Sequence, residues 1–128
     1  MTLQDVIHEA LELQGDHSYW YLATPYSKYQ LGLDAAFKHA CVASAKLVAS
    51  GVRLYCPIAH THPIAIYGEI DPRNHEVWLG LDGPFMKGAC GLIVTTMQGW
   101  SESYGISVEI DSFNLQNKPV RYLDWPLE

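Results

Sequence analysis

One carboxylate in this chain has the type and setting for bond-making chemistry. Glu109 follows the loop Gly99-Trp100-Ser101-Glu102-Ser103-Tyr104-Gly105, at the start of an apolar run with helical spacing. A carboxylate there can attack an electrophilic carbon or stabilise positive charge on it. Asp82, ahead of Gly83-Pro84, suits a helix N-cap. Tyr21 lies within the aromatic and apolar run Tyr19 to Ala23, the composition of a buried strand. Ser103 suits the cap of the helix that carries Glu109. A hydroxyl beside the free amides of a first turn, including Gly105, favours a phosphate through hydrogen bonds and the helix dipole.

Histidines offer a second chemistry. His60 and His62 flank Thr61, with His75 further along, and three imidazoles can hold a metal for hydrolysis. No His-Glu-x-x-His or paired-Cys spacing accompanies them, so no metal is assigned. His60 is instead expected to meet a ligand from the second crossover, or to pack in its loop. His8, His17 and His39 are expected at the surface.

These side chains need elements to carry them. Leu3, Val6, Ile7, Ala10, Leu11 and Leu13 predict an amphipathic helix over 3 to 14, an appendage ending near Gly15. Tyr19 to Ala23 reads as a buried strand, stopped by Thr24-Pro25. Residues 34 to 50 predict a helix packed through Phe37, Cys41, Ser44 and Val48, with Gly51 as its C-cap. Val52 to Cys56 is the second strand. Pro57 to Pro72, with three prolines, reads as a long irregular loop bordering the site. Residues 74 to 90 predict two helical pieces, broken at Asp82-Gly83-Pro84. Gly91 to Thr96 is the third strand and residues 104 to 116 the next helix. On that helix Ile106, Ile110 and Phe113 face the core, and Glu109 lies at the stripe's edge, partly desolvated. Pro119 to Leu123 is the fourth strand.

Strands alternating with helices predict an α/β fold: a three-layer, flavodoxin- or Rossmann-like parallel sheet of four or five strands, with helices on both faces. Ligands of such sheets bind beyond the carboxyl ends of the strands. This directs attention to Thr24, Pro25, Tyr26 and Ser27 after the first strand, with Lys28 beyond them, to Pro57 to Pro63 after the second, and to Met97 to Ser103, including Trp100 and Ser101, after the third.

Composition narrows the function. The 128 residues suit a single domain, 1 to 128, with 1 to 18 as a helical extension and 19 to 123 as the core. With 48% hydrophobic and 17% charged residues the chain folds, and its formal charge of -6 lacks the basic footprint of a nucleic-acid binder. Three scattered cysteines suggest neither disulfide framework nor zinc ribbon. Without a basic and apolar leader, or a run near the ~20 apolar residues of a membrane span, the expected setting is the cytoplasm, away from membranes.

The stretches Tyr21-Leu22-Ala23-Thr24-Pro25-Tyr26, Asp82 with Ala89-Cys90, Ser103 to Glu109, and Lys118-Pro119-Val120 occur in one order. Together they resemble the nucleoside 2-deoxyribosyltransferase superfamily over residues 19 to 123, and most closely a bacterial and phage branch that shares the Gly99-Trp100 turn. The resemblance implies an enzyme without a cofactor that cleaves or transfers at the N-glycosidic bond of a (deoxy)nucleoside or its 5′-monophosphate. It implies Glu109 as nucleophile, Tyr21 as its orienting hydroxyl and Asp82 as the acid toward the departing base. Relatives acting on free nucleosides typically carry an acidic residue six positions before the nucleophile, and those hydrolysing 5′-monophosphates carry Ser. Here Ser103 stands there, as in the related 2′-deoxynucleoside 5′-monophosphate N-glycosidases. Thr24-Pro25 in place of Gly-containing turns, Cys90 where many relatives have Asp, and a longer Met97 to Trp100 turn depart from the pattern, so base contacts are not carried over. A non-catalytic nucleotide sensor of the same fold is the alternative, and a metal-dependent hydrolase using His60, His62 and His75 the third. A second apolar edge on the Glu109 helix, Tyr104, Val108 and Leu115, predicts a homo-oligomer.

Overall fold

The computed structural model describes residues 1–127. Its elements are α1 (Leu3–Gln14), β1 (Trp20–Ala23), α2 (Leu33–Ala49), β2 (Leu54–Tyr55), α3 (Pro57–Gly68), α4 (His75–Gly88), β3 (Gly91–Thr95), a 3-10 turn (Trp100–Glu102), α5 (Tyr104–Leu115) and β4 (Val120–Leu123). The four strands form one all-parallel sheet in the order β2-β1-β3-β4. Trp20 pairs with Leu54 on one side and with Gly91 on the other. Among the described residues no helix is long and apolar enough to cross a membrane.

Alternation along the strands builds two cores. Trp20, Leu22, Ile93 and Leu123 point to one face, where α1 and α2 cover them. Tyr21, Ala23, Leu92 and Val94 point to the other, against Met86 of α4 and Ile106 and Phe113 of α5. The sheet is thus the middle of three layers, and every residue of β1 and β3 is buried. Gly91 is required at the β1–β3 join, because a Cβ there would lie 2.4 Å from Trp20 Cζ3.

Four expectations change. α1 is no appendage: Leu3, Val6, Ile7 and Ala10 are buried in the first core, and Trp20 Nε1 donates to the Ala10 carbonyl at 3.1 Å. The capping box between Thr2 and Asp5 fixes the start of this helix. Second, α2 packs through Ala36, Ala40, Ala43 and Leu47, while Val48 is exposed. Small side chains let this helix approach the sheet closely, so the larger Phe37 and Cys41 lie at its margins.

Third, Pro57 to Gly68 is a helix rather than a loop. Pro57 occupies the first turn, where its missing N–H costs nothing, and Pro63 forfeits only one internal bond. Burial of Pro57, Thr61, His62 and Ala65 at helical spacing offsets that loss. Fourth, α4 runs unbroken through Asp82-Gly83-Pro84, with its cap at Asn74, whose side chain accepts from Val77 N. Pro84 is exposed, so its ring stands in solvent rather than against a neighbour. Asp82 is therefore an interior helix residue, and no capping role explains it.

The place of α1 in the core generates a test. Ile7→Ala is expected to lower stability by about 2 kcal/mol, as for a buried core side chain, read as a shifted midpoint in chemical denaturation. A change no larger than that of an exposed alanine substitution would return α1 to the status of an appendage.

Candidate active site

The strand order reverses between β1 and β3, since the chain passes from β1 out to β2 and back to β3 on the other side. Their carboxyl ends open there into a crevice. Two contacts hold its rim: Gln98 Oε1 accepts from Gln30 N at 2.7 Å, and Gly99, at φ 88°, lies so close to Lys28 that a Cβ would meet its carbonyl at 2.5 Å. The loops after β1 and β3 are thereby fastened together.

The cleft, about 640 Å³ including its open mouth, is lined from the loop after β1 by Thr24, Tyr26 and Ser27, and from α3 by Pro57, Ile58 and Thr61. Pro72, His75, Trp78, Leu79 and Asp82 form the α4 side, and Ser103, Gly105, Ile106 and Glu109 the α5 side. Glu109 is 6% exposed, deeper than the stripe edge expected from its spacing. Neither of its carboxyl oxygens accepts a protein hydrogen bond among the described residues, so what is open of this group faces the cleft. Beneath lies Tyr21, fully buried, with its ring against Tyr55 and Phe113. Its hydroxyl is beside the Glu109 carboxyl, yet no hydrogen bond of normal distance and angle joins them, and Tyr21 Oη stays a buried donor without a partner.

Burial dominates the electrostatics. It pushes the Glu109 carboxyl up to about 8, against the pull of the Tyr21 hydroxyl and with a further push from Asp82. Asp82 is raised to about 6, again by burial, opposed by the hydrogen bond from Tyr55 and then by the charge of His60. Tyr21 and Tyr55 are both driven upward, chiefly by burial and next by Glu109 and Asp82 respectively. Near neutral pH the two carboxyls thus hold one proton between them, a coupled pair in which either group can carry the charge.

Ser103 caps α5 by accepting from Ile106 N at 3.2 Å. That bond uses a lone pair and leaves the hydroxyl proton to donate elsewhere. The amides of Tyr104 and Gly105 have no protein acceptor among the described residues. A Cβ on Gly105 would meet nothing nearer than Ser103 Oγ at 3.9 Å. Together these form a small donor array at the cleft's edge.

Of the residues picked out in the sequence, Glu109, Asp82, Ser103, Gly105, Thr24, Tyr26 and Ser27 meet in this one cleft. Pro25 is buried behind it, Ser101 is exposed on the 3-10 turn, and Trp100 packs against Tyr122 with ring centroids 5.5 Å apart, all outside the lining. His60 is exposed beside the Tyr55 ring, and its charge reaches Asp82. The three histidines do not converge. His62 Nδ1 meets the Tyr26 hydroxyl at 2.6 Å while its ring stacks on Phe37, and His75 lies against Tyr104. No group of three His, Cys, Asp or Glu among the described residues is arranged to hold a metal ion. His39, expected at the surface, is half-buried between Tyr29 and Trp125.

Ile58 and Thr61 lie within the stretch Pro57 to Pro63 expected to border the site, whereas Trp78 and Leu79 of α4 were not expected in its wall. Helical spacing of Pro57, Thr61 and Ala65 was the available signal that this stretch is a helix. Tyr55, which donates to Asp82 Oδ1 at 2.9 Å, sits at a strand end and had none. A family model described as Domain of unknown function (DUF1937) matches residues 18–124. No curated protein matches the chain.

A buried neutral carboxyl makes stability depend on pH with a definite sign. Between its ordinary value of 4.5 and about 8, folded Glu109 holds a proton that the unfolded chain has released, so stability falls as pH rises through this window. Glu109→Gln removes the penalty. It is expected to stabilise the fold on the order of 2–4 kcal/mol at pH 8 and negligibly at pH 4.5, measured by urea denaturation at both. Equal gains at the two pH values would show that the carboxyl is not held neutral.

Proposed function

We propose a function for this chain, which belongs to the DUF1937 family: it cleaves, or transfers the sugar across, the N-glycosidic bond of a (deoxy)nucleoside 5′-monophosphate or nucleoside. The observation that carries this reading is the pair of desolvated carboxyls, Glu109 and Asp82, lining one cleft beside the capped start of α5. The resemblance of the residues around Tyr21, Asp82, Ser103 and Glu109 to the nucleoside 2-deoxyribosyltransferase superfamily supports it independently of the geometry.

In this mechanism a Glu109 oxygen bonds to the anomeric carbon as the carbon–nitrogen bond breaks, and that bond's electron pair leaves with the base. Asp82 gives its proton to the base. The sugar, held as an ester of Glu109, then passes to water or to another base. The chemistry needs the shared proton on Asp82 and the charge on Glu109. Between the two carboxyls by themselves, the greater proton affinity is that of Glu109. Positive charge developing on the sugar reverses this order by favouring ionised Glu109, and the unpartnered Tyr21 hydroxyl then gains a charged acceptor. A 5′-phosphate fits the donor array of Ser103, Tyr104 N and Gly105 N, where a carboxylate at position 103 would repel it.

The hold of buried Glu109 on a proton also favours a second reading, a nucleotide sensor that binds without turnover. The outer edge of α5 supports self-association: Leu115 is 85% and Tyr104 55% exposed, and Val108 and Leu115 border a groove with Lys87 and Asp111 at its sides.

Three outcomes are expected. Chromatography of deoxynucleoside and deoxynucleotide mixtures shows free base released by the wild type and roughly 10³-fold less by Glu109→Ala. Unchanged release in the variant removes the mechanism, and tight binding without release by the wild type selects the sensor. Ser103→Asp moves the preference from 5′-monophosphates to free nucleosides, and a preference that stays put removes the phosphate role. Light scattering gives a mass above that of one chain, falling with Leu115→Lys, whereas a monomer at every concentration removes the oligomer.

A further inference from the structure

Asp82 is held from behind by a residue that does not itself line the cleft. The Tyr55 hydroxyl donates to Asp82 Oδ1 at 2.9 Å. The Tyr55 ring is stacked on Phe85 of α4, centroids 4.1 Å apart and planes within 6°, and it is flanked by Tyr21 at 5.7 Å and His60 at 5.8 Å. Phe85 lies on the same helix as Asp82, so ring and carboxylate are set by one rigid element. Asp82 Oδ2 has no protein donor among the described residues, while Asp82 itself borders the cleft.

We propose that Tyr55 is a positioning residue: it fixes Oδ1 of Asp82 so that Oδ2 is the oxygen presented to a molecule in the cleft. Its consequence for catalysis rests on the glycosidic reading above; the positioning does not. A donor committed to Oδ1 does two things. It stops rotation of the carboxyl group about its last bond, and it favours the charged form. Without it, burial alone would leave Asp82 neutral over a wider pH range and free to turn Oδ1 toward the cleft. The titratable groups that face Asp82 are Tyr55 from β2, His60 from α3, and Glu109 from α5 with Tyr21 beneath it. Of these Tyr55 alone makes a hydrogen bond to it.

Tyr55→Phe keeps the stack on Phe85 and removes only the donor. In protein labelled with carbon-13 at aspartate carboxyls, with Asp82→Asn giving the assignment, the Asp82 titration midpoint is expected to move up by about one unit, a ~10-fold gain in proton affinity. The pH profile of base release should move with it, kcat falling more than KM rises, which loosened packing alone would not produce. An unmoved midpoint in folded Tyr55→Phe overturns the proposal. A moved midpoint with no base release from the wild type upholds it and discards the glycosidic reading instead. Should Tyr55→Phe fail to fold, Asp82→Asn in protein labelled at tyrosine Cζ reads the same bond from the other side. A displaced Tyr55 resonance supports the contact, and an unmoved one overturns it.

Discussion

Strands β1 and β3 pair in register from Trp20 opposite Gly91 to Ala23 opposite Val94, with every side chain out of water. Such a pairing needs a helix layer over each face. It also sends both chains out of the sheet at the same end, where the strand order reverses. The loops that must turn there, Thr24 to Ser27 and Met97 to Ser103, are therefore neighbours before any contact between them is counted. Gly99 against Lys28, and Gln98 accepting from Gln30, fasten what the pairing has already brought together.

The polar groups of the cleft are costly in this setting. Glu109, Asp82, Thr24 and Ser103 are all buried, and the hydroxyls of Tyr21 and Thr24 lack partners. A fold under no demand but stability would place apolar side chains there, since a buried carboxyl must either hold a proton or suffer desolvation. Perturbed acids gathered in one cleft, with donors left open at a helix start, mark a candidate functional site held at a cost in stability. The matched family segment begins at residue 18, so it contains all of these groups and leaves α1 outside. Yet α1 closes the face of the sheet opposite Glu109, with Trp20 bonded to Ala10, so the scaffold for the site extends beyond the matched stretch.

The parts legible in the sequence were those encoded by local periodicity and by adjacency along the chain. The apolar runs at Tyr19 to Ala23 and Gly91 to Thr96, the helix following Ser103, and the parallel α/β architecture all follow from near-neighbour patterns, and the four-stranded sheet carries them. Ser103 and Glu109, six residues apart at the start of one helix, could be placed near each other for the same reason. Prolines misled twice. Pro63 and Pro84 both lie inside helices, because tertiary burial on the opposite side outweighs one lost hydrogen bond. Because α4 runs unbroken past Pro84, Asp82 is a mid-helix carboxyl rather than an ordinary cap.

By itself, then, the sequence determined the layers, the order of elements and the half of the site borne by α5, since these depend on spacing over a few residues. Only the tertiary structure decided that Asp82 faces Glu109, that Tyr55 holds Asp82, and that His60, His62 and His75 stay apart. Those relations join residues on different elements, and they are set by how helices seat on a twisted sheet, which periodicity along one segment does not contain. The depth of Glu109 belongs to the same class. Spacing placed it at the edge of an apolar stripe, but the degree of its burial, and so its hold on a proton, was fixed by the walls that α3 and α4 raise around it.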